Sequence, residues 1–526
     1  MTTEPSSAEP ADLAARAAEK HVVVVGGGIG GLIAARECAK VGMRVTVLEA
    51  ADELGGAIRR VELDGVVVDA GAESYATRGG IVRALVDELG LTDRVVAPRA
   101  GGAWVAGVPG VGAAPLPVGG ILGIPANPFQ EDVRRILGWS GVWRAYLDRV
   151  RPPLTIGHQL SLGRLVSSRM GDKVRDRLVA PVTTGVYSAS PDDVDIDVAA
   201  PGLNAALTRV GSLSGAVQAL RQDAASRAAG PAGAAKAPGA AVEGLAGGMT
   251  GLVDALAADV RSLGADVRTE ARVRTVRRAD DTWTVDVELP VPDIAALDPS
   301  VDGVDAVVAE LRAEEVAGSR PAVEELVADA VIVATSESVA RALLAGVVSA
   351  LVSADAVASP EIEIVTLLLN APALDAAPRG TGVLTVPGSH TAKALTHSTA
   401  KWAWVKEAAG TRHIVRVSFG SQGEPAATAD LDDDAATDLA RTEAETMLGV
   451  PLGREAVVAS HRGRFVQSQP ASIIGSGERR TAARAAVQAV PGLAAVGAWL
   501  AGTGLAQVIP DAREEADRLR RALLWE

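Results

Sequence analysis

The first hydrophobic pattern in the chain is a β-branched run that ends in glycines. Val22 to Val25 predicts a buried strand, Leu32 to Val41 has the apolar spacing of a helix, and Arg44 to Glu49 predicts a second strand. This order predicts a βαβ unit with parallel strands. Residues 1–20 lack the basic start and apolar stretch of a signal peptide, and their Ala, Glu and Ser content predicts a disordered N-terminus.

The pattern then changes along the chain. Residues 117–197 are mainly helical in pattern, whereas residues 221–241 are rich in Ala, Gly and Pro and predict a flexible loop. Strand-like alternation returns after residue 265, interrupted by an acidic stretch over residues 290–327 that predicts an exposed insertion. Residues 359–469 mix strand-like runs with one helical run, which predicts an antiparallel sheet with a covering helix.

Composition narrows the function. The net charge of -14 argues against nucleic acid as a partner, because a phosphate-binding surface needs clustered Lys and Arg. Cys38 is the only cysteine, which excludes internal disulfides and Cys-cluster metal sites and suits a reducing cytoplasm. No metal site is predicted, because the six histidines lack metal-type spacing. No apolar run is long enough to predict a membrane span, so we expect a soluble, cytoplasmic protein.

The glycine turn is a candidate dinucleotide site. Gly26, Gly28 and Gly31 form G-x-G-x-x-G directly between strand and helix. In this motif the first glycine permits the turn, the second lets a pyrophosphate approach, and the third allows close packing. Glu49 ends the second strand, twenty-three positions after Gly26, where an acid accepts hydrogen bonds from ribose hydroxyls. Together these residues predict a bound dinucleotide.

Further motifs give a family resemblance. Gly55 and Gly56, followed by the acidic and glycine-bearing run 69–74, are expected for an extended FAD rather than for NAD. The run VVVVGGGIGGLIAARECAKVGMRVTVLEAADELGGAI resembles the flavin amine oxidase superfamily, which includes amine oxidases, phytoene desaturases and protoporphyrinogen oxidases. Within it, Ser161 to Asp197 is similar to the helical segment of the porphyrinogen oxidases, and the nearest resemblance is to the soluble Gram-positive type.

The resemblance implies an α/β fold with FAD as cofactor. A Rossmann-like FAD-binding domain is expected to be interlaced with an α+β substrate-binding domain and a helical subdomain. The expected order is a disordered N-terminus (1–20), a first FAD-binding segment (21–98), a substrate-binding segment (99–116), the helical subdomain (117–210), a flexible loop (211–241), a second FAD-binding segment with its acidic insertion (242–345), the substrate-binding domain (346–487) and a third FAD-binding segment (488–526).

The resemblance and the glycine motif also name the expected FAD contacts. The residues are Gly26, Gly28, Ile29, Gly30, Gly31, Glu49, Ala50, Gly55, Gly56, Ala57, Gly71, Ala72, Glu73, Ser74, Val273, Ala334, Thr335, Trp499, Gly502, Thr503, Gly504 and Leu505. The last stretch of these residues lacks the aspartate usual in relatives, and Pro510 argues against a helix starting there.

The activity implied by the resemblance is oxidation of coproporphyrinogen III, with molecular oxygen as acceptor and peroxide as product, in haem biosynthesis. Alternatives are protoporphyrinogen IX oxidation, an amine oxidase or carotenoid desaturase, and a flavin-bearing carrier that hands porphyrin to a haem-pathway enzyme. Because the flavin supplies the redox chemistry, no acid–base dyad is predicted. Candidate substrate contacts are Arg99, Trp104, Tyr187 and Lys393, with packing or surface roles as the alternative for each.

Overall fold

The computed structural model describes residues 10–151, 160–228, 242–288, 322–353, 359–466 and 472–525. The strands are β1 (His21–Val25), β2 (Arg44–Leu48), β3 (Arg60–Leu63), β4 (Val66–Asp69), β5 (Tyr75–Ala76), β6 (Val95–Val96), β7 (Ala103–Val108), β8 (Gly112–Pro115), β9 (Gly120–Ile121), β10 (Ile124–Pro125), β11 (Val242–Leu245), β12 (Asp266–Arg268), β13 (Val273–Ala279), β14 (Thr282–Glu288), β15 (Val323–Ala328), β16 (Ala330–Val333), β17 (Glu361–Leu369), β18 (Gly382–Thr385), β19 (Ala394–His397), β20 (His413–Phe419), β21 (Val457–Val466) and β22 (Leu493–Ala495).

The α-helices are α1 (Pro10–Glu19), α2 (Ile29–Ala39), α3 (Ile81–Glu88), α4 (Glu131–Tyr146), α5 (Leu162–Met170), α6 (Asp172–Val174), α7 (Ala180–Tyr187), α8 (Ile196–Ala199), α9 (Leu203–Val210), α10 (Leu213–Ala228), α11 (Thr250–Ser262), α12 (Glu337–Leu344), α13 (Ser349–Ser353), α14 (Ser398–Lys401), α15 (Ala403–Ala409), α16 (Asp433–Leu448), α17 (Ser476–Gln488), α18 (Ala498–Ala501) and α19 (Leu505–Trp525). A π-helical turn, Arg175–Val179, leads into α7, and a 3-10 turn, Leu147–Val150, follows α4.

A five-stranded parallel sheet forms the nucleotide-binding region. Its order is β12-β2-β1-β16-β22, so distant stretches of the chain supply adjacent strands. One face packs against α2, α11 and α19, and the other packs against α12, α17 and the antiparallel sheet β13-β14-β15. Helices on both faces of a parallel sheet are the doubly wound arrangement, which confirms the predicted α/β fold class.

A seven-stranded sheet forms the second region, in the order β21-β17-β20-β19-β18-β7-β8. All neighbouring strands are antiparallel except β18 and β7, which run parallel. Helix α16 covers one face, where Val365, Val417 and Phe419 are buried. The helices between α4 and α10 share a separate hydrophobic core that also receives Val105 of β7.

Two predicted irregular segments are helical. Residues 10–19 of the expected disordered N-terminus form α1, which starts with Pro10 and buries Ala17. Residues 213–228 of the expected loop form α10, because its residues 216–228 contain no glycine or proline and are mostly good helix formers. Residues 1–9 and 229–241 lie outside the described residues.

Two boundaries of the predicted substrate domain and insertion are also wrong. Val323–Ala328, expected within the exposed insertion, is strand β15 and pairs with β14; residues 289–321 lie outside the described residues. Helices α13 and α17, expected in the substrate-binding domain, pack against the nucleotide-binding sheet through side chains such as Leu351 and Val487. Both helices are apolar on the side that faces the parallel sheet, and this contact decides their domain.

Helix α19 also departs from expectation. It begins at Leu505 and continues through Pro510 to Trp525. Pro510 is the sixth residue of the helix, so its ring removes one hydrogen bond near the first turn, while Ile509, Ala512 and Leu519 anchor the remainder in the core. Of the helices in the described ranges, none is long and apolar enough to cross a membrane.

Candidate cofactor and substrate site

The glycine turn, residues 26–31, follows β1 and is shaped by three different close approaches. A Cβ on Gly26 would lie 2.8 Å from the carbonyl oxygen of Ala334, and a Cβ on Gly31 would lie 2.0 Å from that of Gly26. A Cβ on Gly30 would lie 3.3 Å from Cα of Gly497, near the C-terminal end of the chain. These glycines therefore bring three stretches of the chain into contact.

Gly28 differs from the other glycines of the turn. It precedes α2 with an extended backbone, and a Cβ built on it meets no atom within 4 Å. No side chain caps the helix. The first helical amide that donates to the turn is that of Leu32, and its acceptor is the carbonyl of Gly28. The amides of Ile29, Gly30 and Gly31 thus face an open space where an anion is favoured by the helix dipole.

Glu49 lies beside the glycine turn at the end of β2. Its Oε2 accepts a hydrogen bond from the amide of Gly27 at 2.7 Å, and its Oε1 accepts one from the amide of Ala51 at 2.9 Å. These bonds hold the carboxylate in a fixed orientation, with Ala50 exposed next to it. Each oxygen keeps further acceptor capacity for ribose hydroxyls.

A second layer of small residues covers the glycine turn. The amide of Gly55 donates to the carbonyl of Gly27 at 3.0 Å, and a Cβ on Gly56 would lie 3.5 Å from Cα of Gly28. A Cβ on Gly71 would lie 2.0 Å from the carbonyl oxygen of Ala57, which also accepts the amide hydrogen of Ala72. The backbone therefore closes around the space in front of Gly28 without side chains filling it.

The remaining predicted cofactor residues lie at the ends of neighbouring strands. Ala334 and Thr335 follow β16, and the amide of Ala334 donates to the carbonyl of Val25. Residues 268–271 run beside Glu49 and Ala51 through backbone hydrogen bonds, which places Val273 near Glu49. Ser74 is half-buried beside Glu73.

The C-terminal segment, residues 498–505, reaches the same space. Gly502, with a φ of 111°, redirects the chain, and Thr503 and Gly504 are exposed just before α19. Trp499 points instead into the core beneath the sheet, with its Nε1 buried and unpaired within the described protein atoms. Its neighbour Ala498 faces the cavity described next.

A cavity of about 800 Å³ joins the predicted FAD residues to the seven-stranded sheet. Gly56, Ala57, Gly71, Ala72 and Thr503 belong to its lining. The other lining residues include acids, arginines and apolar side chains, and they are Asp52, Glu53, Arg59, Arg60, Ala70, Val186, Ile364, His461, Arg462, Gly463, Arg464, Phe465, Val466 and Ala498. The cavity thus combines open glycine backbone, apolar surface and charged groups of both signs, with four arginines and two acids among them.

The wall beside Gly71 is fixed by the Glu73 cluster, which comprises Glu73, Lys401 and Arg416. Glu73 accepts hydrogen bonds from Lys401 Nζ at 2.5 Å and from Arg416 Nη1 at 3.0 Å. Burial acts to raise the pKa of Glu73, but the two cations outweigh it and lower the pKa to about 2. Arg416 also donates to the carbonyls of Ala70 and Gly71, so the cluster positions the cavity wall.

Asp69 lies buried next to this wall. Its Oδ1 accepts a hydrogen bond from the amide of Met249, just before α11, at 2.8 Å. Burial raises the pKa of Asp69 to about 7, against the opposing effects of the Met249 bond and of Arg416. Asp69 therefore links the strand leading to Gly71 with the start of α11.

Two of the candidate substrate residues lie outside the cavity lining. Arg99 is exposed, and its backbone amide donates to the carbonyl of Lys401 at 2.8 Å. Trp104 packs into the core beneath α16, whereas the adjacent Val105 points to the opposite face of the sheet. The alternation of a strand puts Trp104 on the side away from Ile364 and the cavity.

The other two candidates lie where α7 meets the seven-stranded sheet. Tyr187 is half-buried in the helical core, and burial raises its pKa. Lys393 is 9% exposed and donates from Nζ to Ser188 Oγ at 2.6 Å. Burial lowers the pKa of Lys393 to about 7. Neither side chain lines the cavity, whereas Val186 at the same junction does.

Sequence reasoning missed the residues of β21 that line the cavity. Arg462, Arg464 and Phe465 are distant in sequence from every predicted FAD residue. The spacing of Arg462 and Arg464 by two places both side chains on the face of Glu363, opposite to Phe465, so it gives no signal for the cavity. Lys401 and Arg416 were also missed, because the pairing of a cation with Glu73 across more than 300 residues leaves no local pattern.

Parallel strands, the open glycine turn and an acid at the end of β2 define a dinucleotide-binding protein. The model of the family described as flavin containing amine oxidoreductase matches residues 29–520, and the chain belongs to this family. It is a flavin-containing oxidoreductase, with FAD as its cofactor. The residues present fit this group, since the open face of Gly28 and the uncapped amides of α2 suit a pyrophosphate.

Two relatives that match part of the chain are both named coproporphyrinogen III oxidase. The chain is 34% identical over 183 residues to a coproporphyrinogen III oxidase of Propionibacterium freudenreichii subsp. freudenreichii, covering 35% of this chain and 34% of that protein. It is 31% identical over 184 residues to a coproporphyrinogen III oxidase of Bacillus subtilis (strain 168), covering 34% and 39% of the two chains. The matched region thus spans between a third and two fifths of these relatives.

A solved structure from Exiguobacterium sp. 255-15, provisionally named a protoporphyrinogen oxidase, is similar over almost the whole chain. The TM-score is 0.75 at 21% identity, and the match covers 95% of this chain and 99% of that one. This likeness shows that the two proteins share a fold.

Proposed function

We propose that this protein oxidises coproporphyrinogen III to coproporphyrin III in haem biosynthesis, with molecular oxygen as acceptor and hydrogen peroxide as product. The observation that carries the proposal is the arginine-bearing cavity in front of the predicted FAD residues. Coproporphyrinogen has a flat apolar macrocycle with four propionates, so a site for it needs apolar walls and cations at the rim. The relatives named coproporphyrinogen III oxidase support the same substrate.

Arg59 is the proposed propionate partner. It donates from Nε to the carbonyl of Gly56 at 3.1 Å and has no carboxylate partner among the described residues. Its guanidinium group therefore keeps donors for a carboxylate. Arg464 is 62% exposed, but it pairs with Glu363 on the face of the sheet opposite to Ile364.

The apolar side chains of the cavity meet the other requirement, which is an apolar wall for the macrocycle. Val186, Ile364 and Phe465 face the cavity and would cover the macrocycle, excluding water from its reacting carbon. The Glu73 cluster would hold the opposite wall through the carbonyls of Ala70 and Gly71. The protein's share of the reaction is thus to orient the substrate and exclude water.

When bound, FAD supplies a two-electron acceptor for each round of macrocycle oxidation. In each round the substrate loses two electrons and two protons, and one molecule of oxygen gains them to form one molecule of peroxide. Rounds repeat until the macrocycle is aromatic. No side chain needs to be a covalent nucleophile in this scheme.

Steady-state assays of the holoenzyme test the proposal. Initial rates of peroxide formation are measured with coproporphyrinogen III and with protoporphyrinogen IX, at several salt concentrations. We expect a higher kcat/KM for coproporphyrinogen, with a difference that shrinks as salt rises, because an exposed ion pair contributes only about 0.2–1 kcal/mol. Equal values, or a preference for protoporphyrinogen, would reject the substrate assignment.

A substitution at the cavity rim tests where the propionates are recognised. Replacing Arg59 by Gln should raise KM for coproporphyrinogen with little change for protoporphyrinogen, since only the former loses a rim partner. Arg454→Gln is the control, because Arg454 is 80% exposed outside the cavity. Flavin content is measured for each variant, so that loss of cofactor is distinguished from loss of substrate binding.

A further inference from the structure

Lys393 is a buried cation with no acid beside it. It directly precedes β19 and is 9% exposed. Its Nζ donates to Ser188 Oγ at 2.6 Å, and no carboxylate pairs with it among the described residues. The other equally buried Lys and Arg side chains of the described ranges each pair with a carboxylate, and they are Arg36, Arg169 and Arg416. Lys393 therefore holds an amine in the interior with a hydroxyl as its side-chain partner.

This arrangement is costly for folding. Burial lowers the pKa of Lys393 to about 7, and no neighbouring charge acts against that effect. A buried amine without an acid is less favourable than an apolar side chain of similar length, such as methionine. Costly local arrangements occur preferentially at functional sites. The contact between Lys393 and Ser188 is thus a candidate for a role other than stability.

Ser188 ends α7 in a conformation that its neighbours must hold. Its φ is 56°, in the left-handed region that residues other than glycine rarely adopt. Its amide donates to the carbonyl of Thr184 at 3.1 Å, and its carbonyl accepts a hydrogen bond from the amide of Gln422, after β20, at 2.7 Å. The bond from Lys393 adds the side chain of Ser188 to these backbone contacts.

The sheet side of this contact is fixed in two directions. The amide of Lys393 donates to the carbonyl of Ser418 in β20 at 2.9 Å, and the carbonyl of Lys393 accepts a hydrogen bond from Thr385 Oγ1 in β18 at 3.1 Å. Helix α7 lies directly on this sheet, because a Cβ on Gly185 would lie 2.5 Å from Cδ2 of Leu384. Lys393 therefore reaches from an anchored position in the sheet to the end of α7.

The last turn of α7 also forms part of the cavity. Val186 is 63% exposed and belongs to the cavity lining, whereas the next residue, Tyr187, packs into the helical core. Lys393 itself does not line the cavity. Any effect of Lys393 on a molecule in the cavity must therefore pass through Ser188 and the turn that carries Val186.

We propose that Lys393 is a positioning residue, whose bond to Ser188 holds the last turn of α7 so that Val186 covers the macrocycle of a bound porphyrinogen. The inference rests on the proposed function, because Val186 belongs to the apolar wall of the same cavity. Without the bond, the turn loses its side-chain link to the sheet, and the wall loses its close fit. Coproporphyrinogen and protoporphyrinogen share the macrocycle, so the binding of both should weaken to the same extent.

Hydrogen exchange of the holoprotein at pH 6 tests the positioning without substrate. Lys393→Met removes the bond to Ser188 together with an unpaired buried charge, so its thermal midpoint should rise. We nevertheless expect the amides of Ser188 and Ala189, which donate to Thr184 and Thr183, to exchange about tenfold faster. A purely structural role predicts that these amides exchange more slowly, as the rest of the protein does. Unchanged or slower exchange at both amides overturns the proposal.

Titration of the holoprotein with coproporphyrin III, followed by absorbance, tests the cavity wall. Ser188→Gly is the second variant, because glycine adopts the left-handed conformation without strain and lacks the hydroxyl. Lys393→Met and Ser188→Gly should each weaken binding about tenfold, which corresponds to uncovering one valine side chain. The double variant should bind no more weakly than either, because both substitutions remove one bond. KM for both porphyrinogens should rise in the same proportion, with kcat and flavin content little changed.

Lys173→Met is the matched control. Lys173 Nζ donates to Ser140 Oγ at 2.7 Å, but this bond is exposed and joins α6 to α4 outside the cavity lining. This variant should bind porphyrin as the unmodified protein does. Unchanged binding in Lys393→Met, or additive losses in the double variant, overturns the positioning role and leaves the proposed function standing. Failure of the unmodified holoprotein to bind or oxidise any porphyrinogen overturns both.

Discussion

The glycine turn and the Glu73 cluster border one site, but different contacts hold them. At the glycine turn, backbone atoms approach one another closely, and the added Cβ of Gly31 would lie 2.0 Å from a carbonyl oxygen. At the Glu73 cluster, a carboxylate and two cations meet from distant stretches of the chain. The first is sensitive to added volume, whereas the second is sensitive to lost charge. Substitutions can separate these two kinds of dependence.

The largest effect is expected at the Glu73 cluster. Arg416→Met removes a cation that is 7% exposed and leaves Glu73 buried with Lys401 as its remaining cation. Breaking a buried pair in this way costs about 3–5 kcal/mol of stability. Arg454→Met, which breaks an ion pair of an 80% exposed arginine, should cost less than about 1 kcal/mol. Urea unfolding of both variants measures the difference, and equal losses would contradict the assignment.

The pH dependence of the stability of Arg416→Met provides a second test of the Glu73 cluster. The pKa of Glu73 is lowered from its ordinary 4.5 to about 2 in the folded chain. The stability contributed by its pairing is therefore present above about pH 4.5 and is lost as the pH falls towards 2. The gap between variant and unmodified protein should narrow over that range. A gap independent of pH would show that Arg416 acts through packing alone.

Glu49→Gln tests how much the charge of Glu49, held by backbone amides at the glycine turn, contributes to FAD binding. The amide side chain keeps one acceptor for Gly27 or Ala51 but loses the charge that assists the ribose hydrogen bonds. We expect FAD affinity to fall by about 1.5–3 kcal/mol, measured by flavin titration of the apoprotein. Glu53→Gln is the control, since Glu53 follows Glu49 closely in the chain, lines the neighbouring cavity and is 46% exposed. Unchanged affinity in Glu49→Gln would refute its role.

Gly31→Ala and Gly28→Ala separate packing from cofactor contact. The added methyl in Gly31→Ala must displace the carbonyl of Gly26, which should cost about 1–3 kcal/mol of apoprotein stability. Gly28 has an extended backbone and open space, so Gly28→Ala should leave apoprotein stability unchanged and weaken FAD binding. Thermal midpoints of the apoproteins and flavin titrations measure the two effects. The reverse pattern would show that Gly28 is the packing residue.

The smallest effect is expected at Lys393, whose buried charge lacks the compensation found at Glu73. The pKa of Lys393 falls from its ordinary 10.5 to about 7 through burial. The cost of holding its charge is complete below pH 7 and disappears as the pH rises towards 10.5. Lys393→Met should therefore gain on the order of 1 kcal/mol at pH 6, less at pH 9. A loss of stability at pH 6 would show that the bond to Ser188 dominates.

The difference between backbone contacts and long-range ion pairs also explains which parts of the site could be predicted from the sequence. The glycine turn and Glu49 lie within a short stretch, and backbone requirements for glycine leave a readable spacing. The side of a strand on which Trp104 lies depends on register and domain packing, so its expected place in the cavity was wrong. Arg416 meets the predicted FAD residue Gly71 only through the fold. Helix α10 could have been predicted, because Ala-rich sequence before Gly230 favours a helix.

Anaerobic reduction of the bound flavin tests the central claim most directly, namely that the cavity presents a porphyrinogen to the FAD. The purified holoprotein is mixed with coproporphyrinogen III without oxygen, and the visible absorbance of the flavin is followed. We expect the flavin absorbance to bleach as coproporphyrin absorbance appears, and to return when oxygen is admitted with formation of peroxide. A flavin absorbance that stays unchanged while coproporphyrinogen is present would contradict the proposed reaction.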